Sequence, residues 1–109
     1  MTIAPDVKRI ARKFGVPASL IQAVVNAEGN IVKAVQCSIP SVTTREEALE
    51  VTCRSCAHAM SDYLAEEAPS EFVAFWGARW APLGVQNDPH NLNTNWTHNV
   101  LTLWTGAKA

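Results

Sequence analysis

The sequence predicts a single all-α domain, a compact and irregular arrangement of about five or six short helices. Three observations predict it. Apolar residues recur at helical spacing in segment after segment. No segment alternates apolar and polar residues in the strict manner of a strand. The chain has 109 residues, 48% of them hydrophobic, which suits one collapsed domain with a modest core. No internal repeat, low-complexity tract or linker divides 1–109.

The first helix is expected over Pro5–Phe14. Pro5 suits a first helical turn, Asp6 complements the positive helix end, and Val7, Ile10, Ala11 and Phe14 form one stripe before Gly15 stops it. A second helix should run from Pro17 to Gly29 with Leu20, Ile21, Val24 and Val25 inward. Asn30–Cys37, apolar at Ile31, Ala34 and Val35, reads as a brief helix, and 38–41 as a loop. Thr44 and Glu47 stand at capping-box spacing, opening the longest helix, to about Glu66, with Leu49, Cys53, Cys56 and Met60 at core spacing. Ser70 is the expected cap of a helix carrying Phe72, Val73, Trp76 and Trp80, ended by Pro82 and Gly84. Residues 86–94, rich in Asn, Asp and Pro, read as a loop. A last helix, about Asn95–Thr105, should point Trp96, Val100, Leu103 and Trp104 inward, with Gly106 closing it.

Composition excludes several classes. Nine basic against ten acidic residues give a net charge of -1, so nucleic acid is not an expected partner. Lys8, Arg9, Arg12 and Lys13 are most simply the solvated face of the first helix. A helix-turn-helix reading fails because no basic residue lies between Pro17 and Glu28 to serve a recognition helix. No apolar run reaches the roughly 20 residues of a membrane span. The N-terminus has no signal-peptide character, so the expectation is synthesis in the cytoplasm, with association with a virion or another protein supplying any route to a cell wall. The odd cysteine count argues against a secreted disulfide framework. Cys53 and Cys56 have CxxC spacing, and Cys37 and His58 are conceivable partners, but the pair lies within an amphipathic helix and His58 on another face. Core cysteines are therefore expected, with no metal and no cofactor. Walker, dinucleotide-binding, HExxH and GxSxG signatures are missing.

The residue that points to chemistry is Glu28. Continuing the second helix's stripe by four from Val24 puts a carboxylate at its last turn, beside apolar neighbours and the negative helix end. Both favour the protonated acid that a glycosidic oxygen needs. The plainer reading is rotation to solvent at the helix end. A resemblance changes the balance. The stretch Phe14-Gly-Val-Pro-Ala-Ser-Leu-Ile-Gln-Ala-Val-Val-Asn-Ala-Glu28-Gly29 resembles the opening of lytic transglycosylases and goose-type lysozymes, where a short helix leads into an apolar helix ending in the catalytic Glu. Asn95-Trp-Thr-His-Asn-Val100 is similar to the closing helix bordering that family's sugar groove, with Trp96 or Asn99 near the border. Arg79 to Pro89 resembles segments of phage and cell-wall glucosaminidase-like domains. The chain departs from the family at Ala34-Val-Gln36-Cys, which lacks the glycine of the Gly-x-x-Gln signature.

The resemblance implies a lysozyme-like fold, a phage or prophage origin, peptidoglycan glycan strands as the partner and Glu28 as acid/base. Substrate-binding candidates are Gln36, Trp80, Asn87, Asp88, Asn95, Trp96 and Asn99. For Asn87, Asp88 and Pro89 ordinary turn chemistry is the simpler account, and Trp76 and Trp104 sit at packing positions. Two other readings stand beside the enzyme. One is a phage virion or prophage structural protein that keeps the fold without turnover, with other virion proteins as partners; the other is a small helical protein-binding module.

Overall fold

The structure, a computed structural model, describes residues 1–67, 71–80 and 94–108, residues 94 and 106–108 by their backbone only. The described residues form six helices: α1 (Pro5–Phe14), α2 (Ala18–Glu28), α3 (Ile31–Gln36), α4 (Arg45–Glu66), α5 (Phe72–Trp80) and α6 (Thr94–Lys108). No strand occurs among them, so the all-α expectation holds.

Local chemistry sets most of the helix ends. α1 ends where Gly15 turns left-handed (φ 70°), a conformation that costs little only without a Cβ, and its N–H closes on the Ala11 and Arg12 carbonyls. The capping box is present: the Thr44 hydroxyl meets the Glu47 N–H, and the Glu47 carboxylate returns to the Thr44 N–H. Two ends differ from expectation. Ser70 lies outside the described residues, and the Glu71 carboxylate accepts from the Val73 and Ala74 N–H groups at the start of α5. Gly106 does not close the last helix, which continues through it to Lys108. A glycine weakens a helix without stopping it unless a left-handed turn follows.

α2 is the hub. All six residues from Leu20 to Val25 are buried, because α6 packs along one side and α1 and α3 cover others. Gln22, the polar member of that run, accepts from the Ala4 N–H and donates to Asn26, so its burial leaves no polar atom unsatisfied. α1 and α3 both lie on α4, and α5 bridges α4 and α6. The core joins Ile10, Leu20, Ile21, Val24, Leu49, Val73, Trp76 and Val100. Cys53 and Cys56 are fully buried within it, whereas Cys37 is exposed, against the expectation of a core position: it follows the last turn of the six-residue α3.

The basic face of α1 is solvated and also ion-paired to α4. Arg9 meets Glu46, Lys13 meets Glu50, and Asp6 meets Arg45. The Arg45 guanidinium holds the Asp6 carboxyl below its ordinary range. None of the helices is long and apolar enough, among the described residues, to cross a membrane.

Candidate active site

Glu28 is the last residue of α2. The next residue, Gly29, has φ 76°, which lets the chain turn at once into α3, whose cap Asn30 accepts from the Lys33 N–H. The carboxylate therefore stands where two helices diverge, at the edge of a cleft of about 470 Å³. Ala34, Val35 and the Cys37–Ile39 turn form one wall, Val51 and Ser55 of α4 the floor, and Arg79 and Trp80 of α5 the opposite side.

The half-buried Glu28 side chain is fixed from across the molecule. The Trp80 indole N–H donates to Glu28 Oε1 at 3.1 Å, and the Trp96 indole N–H donates to the same oxygen at 2.8 Å. Indoles donate only, so Oε1 can only accept. No donor among the described residues reaches Oε2.

Packing puts the indoles there. Phe72, Trp76 and Trp80 follow one another at i, i+4 on α5. Trp76, fully buried, meets Trp80 and Trp96 edge-on at 5.8 and 5.5 Å between ring centroids. Such contacts favour the aromatic pair beyond simple burial. The Trp76 N–H is held by the Ser55 hydroxyl at 3.0 Å, and Trp104 by Ser19 at 2.9 Å, so all four indoles have partners. Gly77 sets the distance between α5 and α6. A Cβ there would lie 2.7 Å from Thr97 Oγ1 and 2.9 Å from Trp96 Cε3, inside contact distance.

The candidate residues divide into three groups. Glu28, Trp80 and Trp96 are brought together. Gln36 is not in the cleft: its amide donates to the Val42 carbonyl at 2.7 Å and ties down the loop after α3. Asn95 and Asn99 are exposed on α6 and do not line the cleft, because Trp96 and Val100 take the inward face of that helix. Asn87 and Asp88 lie outside the described residues.

Two residues that the sequence did not single out belong to the site. Ser55 lines the floor, and its oxygen accepts from Trp76. No local signal marked it in the stretch Thr52–Ala59, where Arg54 and His58 are also polar. Arg79 stacks over Phe75 at 4.5 Å and pairs with Asp62 and Glu66, so its charge is already matched. Nothing local marked it.

Thiol chemistry has no place in this cleft's neighbourhood from the buried pair. Burial pushes the Cys53 thiol up to about 11 and the Cys56 thiol to about 12, which suppresses the thiolate that binds metals and attacks electrophiles. Compared with protein-family models, curated proteins and solved structures, the chain matches none significantly.

Proposed function

We propose that the protein cleaves β-1,4 glycan bonds of peptidoglycan, as a lytic transglycosylase or muramidase does, with Glu28 as the single acid/base. One observation carries the reading: a half-buried carboxylate opens onto a cleft and is oriented by two neutral donors that both meet Oε1. A general acid needs a fixed oxygen with its proton directed at the bond to be broken. Oε2 is that oxygen. It gives its proton to the leaving glycosidic oxygen as the bond to the anomeric carbon breaks. The resulting carboxylate then takes a proton either from the sugar's own hydroxyl, which closes an anhydro ring, or from water, which leaves a reducing end. Glu28 is the one carboxylate among the described residues lining the cleft, which suits a single-acid route better than a carboxylate pair. Trp80 offers a ring face to a sugar, and Ser55 a hydroxyl.

The test is release of soluble fragments from purified peptidoglycan by wild type and Glu28→Gln, with products identified by mass. Loss of general acid catalysis should lower release by about 10²–10⁴-fold, with an unchanged helical circular dichroism spectrum. Anhydro products indicate transglycosylation and reducing ends hydrolysis. A folded wild type that releases nothing across pH 4–8 (roughly the range over which a carboxyl works as an acid) and several wall types overturns the proposal and leaves the virion scaffold.

A further inference from the structure

The Glu28 cleft does not end at Arg79. A second groove, of about 330 Å³, shares Ile39, Val51, Ser55 and Arg79 with it and continues past Arg54 and His58. Val51, Arg54, Ser55 and His58 stand at i, i+3, i+4 and i+7, so one stripe of α4 floors both. Seven residues of helix rise about 10 Å, which takes the floor well beyond one sugar ring.

The charge along this floor changes. Arg79 is matched by Asp62 and Glu66. Arg54 is exposed and has no acidic partner among the described residues; its guanidinium lies 5.6 Å from the centre of the Phe14 ring, which steadies it without neutralising it. His58, one turn on, adds a second nitrogen donor or acceptor on the same side.

We propose that this extension is a subsite for a carboxylate-bearing substituent of the glycan, with Arg54 as its main ligand and His58 beside it. The proposal rests on the glycan-cleaving reading for the identity of the polymer. A guanidinium fork matches a carboxylate with two parallel hydrogen bonds, and one unmatched cation suits one negative charge. Arg54 is a specificity-determining residue here, remote from the bond that Glu28 acts on.

The experiment compares two probes, a peptidoglycan tetrasaccharide with free lactyl carboxylates and the same tetrasaccharide with those groups converted to primary amides. Binding is measured calorimetrically to Glu28→Gln, alone and combined with Arg54→Gln or Arg54→Lys, and cleavage kinetics are measured with an intact Glu28. The free acid should bind about tenfold more tightly than the amide. Arg54→Gln should erase most of that ratio, and Arg54→Lys should keep part of it. In turnover the preference should appear in KM. Equal affinity for both probes, or a ratio that Arg54→Gln leaves intact, overturns the subsite even if turnover is found. A ratio that depends on Arg54 without any turnover supports the subsite while the catalytic reading falls.

Discussion

Two regions of the molecule hold carboxylates in opposite ways. On the α1–α4 face, Asp6, Glu46 and Glu50 meet guanidinium or ammonium groups near solvent. At the other end, Glu28 meets two indoles and no cation, although Arg79 lines the same cleft. Exposed ion pairs are screened and fix geometry weakly. Indoles packed in an aromatic cluster fix it strongly, since Trp76, Trp80 and Trp96 have few alternative positions. The first arrangement registers two helices. The second aims one oxygen, and it does so without placing a formal charge beside it.

The comparison is broken most severely at Gly77. Gly77→Ala should cost about 1–3 kcal/mol by overpacking, because the new methyl meets the Thr97 hydroxyl and the Trp96 ring, and that ring, packed against Trp76, must give way. Thermal unfolding checks the stability. Loss of glycan release beyond the loss of folded protein would show that Trp96 has left Glu28. An unchanged melting temperature would mean that α5 and α6 do not depend on this close approach.

A sharper test keeps the ring and removes the donor. Trp96→Phe should cost about 1–1.5 kcal/mol, the upper part of the usual range for an intramolecular hydrogen bond, and should lower kcat more than it raises KM. The same change in a Glu28→Met background, which keeps the side-chain length and removes the acceptor oxygen, should cost less in chemical denaturation. Equal costs in both backgrounds would show that the indole N–H does nothing for Glu28.

The smallest effect belongs to the ion-paired face. Asp6→Asn should cost under about 1 kcal/mol at neutral pH, allowing for solvent screening. The folded state lowers the Asp6 carboxyl, through Arg45 first. Its contribution is therefore present above the unfolded value near 3.9 and lost as pH falls through the folded one. Wild type and Asp6→Asn should converge in stability below that point and in high salt. A gap that persists in strong acid would separate the effect from the charge.

Much of the fold was legible in the sequence. The span of α1, the capping box of α4 and the inward faces of α2 and α5 follow from periodicity and local capping, which depend on neighbours within a turn or two. Glu28 was legible as a carboxylate on an apolar stripe, and Trp80 and Trp96 as aromatics beside a polar segment. Their convergence was not, because 52 and 68 residues separate them from Glu28 and a stripe gives a face without naming what it meets. The same limit hid Gly77, whose reason lies on another helix, and Arg79, whose partners are on α4. It likewise hid the surroundings of Gln36, which donates to a loop carbonyl, and of Asn95 and Asn99, which are exposed.

The order of these residues along the chain also fixes the order in which they are synthesised. Domains are made from the N-terminus at a few residues per second or faster, so α1 to α4 can associate while α5 and α6 are still being synthesised. Glu28 is among the early residues and Trp96 among the late ones. A nascent or truncated chain ending before Trp96 contains the acid and lacks its setting. Maturation of the cleft is thus coupled to completion of the polypeptide, and a partly made molecule is one in which the carboxylate has yet to be aimed.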